Sequence, residues 1–141
     1  AFNVVAVIKY KFPNDRIVNE QENVPLCDAQ KALSLLHRNA KKWQIDRNKI
    51  AISGGSAGGH LVASLANLKD KIVAPGVKSK ELKQSVSILM YTVITFNLPH
   101  RQQGSYNKLL EDKSSDQTLI DYYSMENKVS KKNTSYFCCS C

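Results

Sequence analysis

No apolar run in this sequence approaches the ~20 residues that cross a bilayer as a helix. The start, Ala1-Phe2-Asn3-Val4-Val5-Ala6-Val7-Ile8-Lys9-Tyr10, lacks the basic region and small-residue cleavage site of a secretory signal. Neither a membrane span nor a signal peptide is therefore expected in it. Cysteine is scarce where it would matter. Of four, Cys27 stands alone and Cys138, Cys139 and Cys141 crowd the last four residues, which gives neither a disulfide framework nor a paired C-x-x-C zinc site. Acidic residues are few, 12 against 20 Lys and Arg, for a net charge of +8. That excess is not gathered: residues 1–70 and residues 71–141 each hold ten basic and six acidic side chains, so neither a nucleic acid nor a membrane is expected as partner. Internal repeats and low-complexity tracts are missing as well.

What remains is 141 residues, 43% hydrophobic and 23% charged, the composition of one globular domain. Residues 3–10 form a β-branched run broken only by Lys9, short enough for a buried core strand. Residues 11–23, with Pro13, Asn14, Asp15 and Asn23, carry turn chemistry. From Pro25 the period changes: Leu26, Ala29, Leu33, Leu36, Ala40 and Trp43 recur at threes and fours, the stripe of an amphipathic helix. Lys31, Arg38, Lys41 and Lys42 mark its solvated face. Lys49–Ser53 is a short strand candidate that runs straight into glycines, followed by a second helix with Leu61, Val62, Leu65, Ala66 and Leu68 as apolar positions. A lysine-rich loop spans 70–84. Val86–Ile94 is a third strand candidate, parallel to the others if the helix between is a crossover. Short helices are expected near Tyr106–Leu110 and Gln117–Tyr123. Alternating strands and helices predict an α/β layer fold with a mostly parallel sheet.

Gly54-Gly55-Ser56-Ala57-Gly58 fits G-x-S-x-G and lies between a strand and a helix, the context in which that pattern carries chemistry. A serine on so tight a turn adopts a strained backbone, and glycines two before and two after let strand and helix pass closely. The turn would present the Ser56 hydroxyl at the carboxyl end of the sheet, where α/β folds bind ligands. There the Ala57 N–H and the helix dipole could serve a developing oxyanion. Other readings of the glycines fail on spacing: a dinucleotide fingerprint needs glycine where Ser56 stands, and a phosphate loop needs Lys-Ser/Thr where Gly59 gives way to His60-Leu61. A glycine-rich turn without catalysis remains the alternative. A serine nucleophile also needs a base and an acid, which follow it in this fold class. His60, one helical turn beyond Ser56 on the same helix, is expected to be a packing or hydrogen-bonding residue. His100, in a loop after Leu98-Pro99, is expected to be exposed, with only Asp70 and Glu81 as acids between it and Ser56.

These residues resemble a family. Asp28-Ala29-Gln30, Trp43-x-Ile45-Asp46 with Ile50, Gly55-Ser56-Ala57-Gly58-Gly59-His60-Leu61 and Tyr91-Thr92-Val93-Ile94-Thr95 look like bacterial α/β-hydrolase esterases, often labelled acetylxylan esterase or carbohydrate esterase. The likeness continues through His100, Gly104-Ser105, Leu109-Leu110 and Ser124–Val129, and covers about residues 4–134. Where the family has Tyr-Pro-Val, this chain has Tyr91-Thr92-Val93. The resemblance implies a serine ester hydrolase in which Ser56 attacks a small-molecule or carbohydrate ester, with Ala57 N–H as oxyanion donor and Gly54, Gly55, Gly58 and Gly59 shaping the elbow, and it implies no cofactor and no metal. The family's oxyanion loop, triad aspartate and C-terminal histidine have no counterpart in this sequence. The expectation is therefore a partial α/β-hydrolase fold: residues 1–134 as the central part of one domain, missing N-terminal strands and the C-terminal triad segment, and inactive by itself. Residues 135–141 are expected to be a non-native tail. One permitted codon choice for Ser135–Cys141, shifted by one base, spells Pro-Thr-Phe-Val-Val-His, the strand the family has there.

Overall fold

The computed structural model describes residues 4–12, 21–68, 70–110, 113, 115–130 and 135–139. Its centre is a three-stranded parallel sheet of β1 (Ala51–Gly55), β2 (Val86–Met90) and β3 (Ser135–Cys139), in the order β1-β2-β3. α1 (Val24–Arg38) and α2 (Ser56–Asn67) precede and follow β1, and α3 (Gln103–Leu110) and α4 (Gln117–Tyr123) follow β2. A parallel pair needs a crossover, and α2 with the loop after it supplies the one from β1 to β2. The observed class is the α/β layer fold with a parallel sheet that the alternating pattern predicts.

α1 starts with Pro25 in its first turn, where a missing N–H costs nothing, and buries Leu26, Ala29 and Leu33 in the same core as Val62 and Leu65 of α2. A leucine as enclosed as Leu33 contributes roughly 2–3 kcal/mol by leaving water. The apolar stripe outlasts the helix. Asn39 caps it, its N–H donating to Leu35 O at 3.0 Å, so Ala40 reaches the core from an irregular turn and Trp43 stays on the surface.

The polar residues of α1 tie down the next connection. Gln30, Ser34, His37 and Arg38 share one helix face, and three of them are buried. Gln30 donates to Lys71 O at 2.6 Å and accepts from Val73 N and Ala74 N at 2.9 and 3.1 Å. Ser34 donates to Glu81 at 2.8 Å, and His37 Nε2 donates to Lys83 O at 2.7 Å. Arg38, expected on the solvated face, instead pairs with Glu81 at 2.9 Å. A loop with few apolar residues is thus fixed by hydrogen bonds to its backbone.

Three expectations need correction. The run over 3–10 is not a core strand. Its described residues form no ladder, and Val5 and Val7 are 85% and 92% exposed. β-branched residues favour a strand only where a neighbouring strand and a face to pack on exist, and the sheet offers neither here, since β1 is its edge. The strand expected over Lys49–Ser53 lies two residues later, at Ala51–Gly55, because its ladder to β2 starts at the Ala51–Val86 pair. The nine-residue run Val86–Ile94 stops as a strand at Met90. Tyr91 takes a left-handed φ of 38°, which turns the chain so that Val93 and Phe96 enter the core from a loop.

α3 begins three residues before the apolar positions that signal it, and α4 starts from Asp116, whose carboxylate accepts from Thr118 N and Leu119 N at 2.9 and 3.3 Å. Residues 135–139, the described part of the expected tail, run as β3 alongside β2. There Tyr136 donates to Asn67 Oδ1 of α2 at 2.8 Å. Cys141 lies outside the described residues. Among the described residues no helix is long and apolar enough to cross a membrane.

Candidate active site at the end of the parallel sheet

β1 ends on Gly55 in extended conformation (φ −113°, ψ 152°), and the next residue, Ser56, has φ 51° and opens α2. A left-handed serine between a strand and a helix is strained, and such strain persists only where surrounding packing holds it. That packing is visible in the glycines. A Cβ on Gly54 would lie 2.6 Å from the Gly58 carbonyl carbon and 2.9 Å from Gly59 N, both backbone, so strand and helix cross too closely for a side chain. A Cβ on Gly59 would lie 2.9 Å from Thr92 Cβ. Gly58 is different: nothing lies within 4 Å of its Cβ position, so the close-passage reason does not apply two residues after the serine.

Ser56 and Ala57 are both exposed. Ala57 sits in the first turn of α2, where backbone N–H groups lack intrahelical partners and the helix dipole is positive. From the neighbouring strand, the loop after β2 comes across to the same place: Val93 N donates to Ser56 O at 3.4 Å. Tyr91 covers Gly55, with its hydroxyl oxygen 2.8 Å and its Cζ 2.9 Å from where a Gly55 Cβ would stand.

The two histidines after Ser56 lie elsewhere. His60 is buried inside α2's packed face. It stacks on Phe96 with ring centroids 4.8 Å apart, and its Nε2 donates to Tyr123 O at 2.8 Å, which makes Nε2 the protonated nitrogen. Burial pushes its imidazole below the ordinary value, more than the Tyr123 carbonyl and the Glu126 carboxylate pull it back. The ring is a neutral part of a core that also holds Ser124, whose hydroxyl donates to Ile120 O at 2.8 Å and accepts from Phe96 N at 3.1 Å. His100 is exposed in the turn before α3. Asp70 is exposed, and Glu81 is held by Arg38 and Ser34. Among the described residues no acid or histidine hydrogen-bonds Ser56, and no three His, Cys, Asp or Glu side chains gather as a metal site. Sequence reading missed Tyr91 as a neighbour of the elbow. The available signal was its place past the middle of the nine-residue run Val86–Ile94, too long for one strand in this sheet.

Known proteins are similar to this chain in sequence and fold. The family model described as BD-FAE matches residues 2–137. An acetylxylan esterase of Xylanibacter ruminicola is 30% identical over 123 residues, which cover 86% of this chain and 24% of that protein. An endo-1,4-beta-xylanase B of Butyrivibrio fibrisolvens is 34% identical over 112 residues, 78% of this chain and 17% of that one. Among solved structures, an acetyl ester-xyloside bifunctional hydrolase from Caldicellulosiruptor lactoaceticus superposes with a TM-score of 0.68 at 30% identity, over 82% of this chain and 43% of its own. The apo form of Thermogutta terrifontis esterase 2 also gives 0.68, at 21% identity over 92% of this chain and 46% of its own, a likeness of fold alone. This chain spans about a quarter or less of the curated relatives and under half of the solved structures. With a family model matched over nearly its whole length and a parallel sheet that superposes on those esterases, the chain belongs to the BD-FAE family, esterases of the α/β-hydrolase fold.

Proposed function

We propose that Ser56 is the nucleophile of a serine ester hydrolase acting on small or carbohydrate acyl esters, acetylated xylan-type sugars foremost. The observation that carries this reading is the left-handed φ of 51° at an exposed serine joining strand β1 to a helix. Such a turn holds the hydroxyl away from the sheet and beside free backbone N–H groups. In the reaction Ser56 Oγ bonds to the ester carbonyl carbon and the carbonyl electron pair moves onto oxygen. The Ala57 N–H donates to that oxyanion. The intermediate collapses with cleavage of the bond to the alcohol, which takes up the serine proton, and water then attacks the acyl-enzyme, releasing the acid and restoring the hydroxyl. The acetyl and sugar assignment is drawn from the acetylxylan esterase and the acetyl ester-xyloside hydrolase to which this chain is similar.

A second reading concerns turnover. His60 is engaged in the core and His100 is on an exposed turn, so Ser56 has no imidazole beside it among the described residues. A serine without a base attacks slowly, which favours a chain that carries the nucleophile turn but does not turn over by itself. Hydrolysis of p-nitrophenyl acetate by this chain and by Ser56→Ala, together with labelling by a fluorophosphonate, separates the two. Turnover that disappears in Ser56→Ala supports the enzyme and refutes the inactive chain. Labelling that needs Ser56, without turnover, supports the nucleophile and the inactive chain. No labelling at Ser56 overturns its role as nucleophile.

A further inference from the structure

Ser56 and Tyr91 are the next positions beyond the last rung of the β1–β2 ladder, Gly55 and Met90, and both have left-handed φ, 51° and 38°. For a bulky aromatic residue that conformation is a true outlier, so local packing must hold it. Two contacts do so. Tyr91 N donates to Cys139 O at 2.9 Å, and the hydroxyl end of the ring fills the space that a Gly55 side chain would need. The rest of the ring does not pack away: Tyr91 remains 62% exposed, and Ser56, the residue after the Gly55 that the ring covers, is exposed as well. A large aromatic face is thus held open to solvent one residue from the nucleophile. Whatever bonds to Ser56 Oγ during the reaction is the acyl group, so the acyl group is the part of the substrate held nearest this turn.

We propose that Tyr91 is a specificity-determining residue, the wall that limits the length of the acyl group carried on Ser56. The assignment rests on Ser56 being the nucleophile. The ring admits an acetyl-sized group and collides with longer chains, and its hydroxyl, directed at Gly55, serves to seat the ring and makes no substrate contact.

The test uses two fluorophosphonates, one with methyl and one with n-butyl on phosphorus. In each, Ser56 Oγ bonds to phosphorus as the P–F bond breaks, fluoride leaves, and the serine proton passes to buffer. Adduct formation is followed by intact mass, with Ser56→Ala assigning the site. The wild type reacts faster with the methyl probe. Tyr91→Gly, which suits the left-handed backbone and removes the ring, narrows that preference roughly tenfold, the scale on which a pocket rejects an oversized apolar group. Tyr91→Phe keeps the ring and the wild-type preference. Ser56-dependent labelling with an unchanged preference in Tyr91→Gly overturns the wall and leaves the nucleophile standing. No Ser56-dependent labelling by either probe overturns the nucleophile and the wall with it. If Tyr91→Gly fails to fold by circular dichroism, Tyr91→Asn takes its place, since asparagine also tolerates this backbone. If neither folds, the ring is structural and the proposal falls.

Discussion

Ser56 and Tyr91 leave adjacent parallel strands at the same level and in the same left-handed conformation, one residue beyond the Gly55–Met90 pair that closes the β1–β2 ladder. The two turns support each other. The chain after Tyr91 returns to Ser56 through the Val93 N to Ser56 O hydrogen bond, and the Tyr91 ring occupies the side-chain space of Gly55. The Ser56 turn is therefore shaped by the neighbouring strand as well as by its own glycines.

The glycines of the elbow should consequently differ in what a methyl group does to them. Gly55→Ala drives a Cβ to 2.8 Å from the Tyr91 hydroxyl oxygen. The expected loss is at most about 1 kcal/mol, the low end for overpacking, because the atoms met are the far end of an exposed side chain that can shift. Combining it with Tyr91→Gly should recover much of that loss, a coupling measured by a double-mutant cycle in urea. Gly58→Ala, with nothing within 4 Å, should be neutral or add about 0.5–1 kcal/mol from helix propensity. Equal losses at Gly55 and Gly58, or strict additivity of Gly55→Ala with Tyr91→Gly, would contradict this packing.

The buried imidazole of His60 makes stability depend on pH near neutrality. Its folded value is lowered from 6.5, chiefly by burial. Above 6.5 the ring is neutral in both states and contributes no pH dependence. Below it the unfolded chain binds a proton that the folded chain refuses, so stability falls with falling pH until the lowered folded value is reached. The steepest such loss for one group is about 1.4 kcal/mol per pH unit. His60→Gln keeps a donor for the Tyr123 carbonyl and has no proton to gain. Denaturation curves from pH 8 to pH 5 should show a steeper decline for wild type than for His60→Gln. Parallel declines would mean that His60 is as easily protonated in the fold as outside it.

Much of this architecture could be read from residue types, and the failures share a cause. The α1 stripe and the strand–turn–helix around Ser56 declare themselves locally, through helical spacing and glycines beside a serine. What sequence could not supply is the identity of neighbours. Val4–Ile8 has the composition of a buried strand, yet strand formation depends on a partner edge, and that depends on the rest of the sheet. Arg38 looks like one more solvated cation until the 70–84 loop brings Glu81 to it. Tyr91 looks like a strand residue until its φ shows the strand already ended. His60 was correctly expected to pack. Its partner, the Tyr123 carbonyl, is 63 residues away in sequence, a separation no local pattern reaches.

A second pH window, opening at lower pH than that of His60, belongs to the Arg38–Glu81 pair. Glu81 accepts from Arg38 Nε and a terminal guanidinium nitrogen at 3.1 and 2.9 Å, from Ser34 Oγ at 2.8 Å and from Lys78 N at 3.2 Å. Arg38 first and Ser34 second hold its carboxyl down to about 2, from an ordinary 4.5. A depressed folded value stabilises the fold where the unfolded carboxylate is also ionised, so the contribution is complete above about 4.5 and is lost as pH falls toward about 2. Glu81→Gln has no such titration. Its urea midpoint should lie below that of wild type at pH 6, and the gap should close as pH falls from 5 to 3. High salt should narrow the gap at pH 6, because Arg38 is about half exposed. A gap that stays constant from pH 6 to pH 3 would show that Glu81 holds the 70–84 loop through neutral hydrogen bonds, without help from its charge.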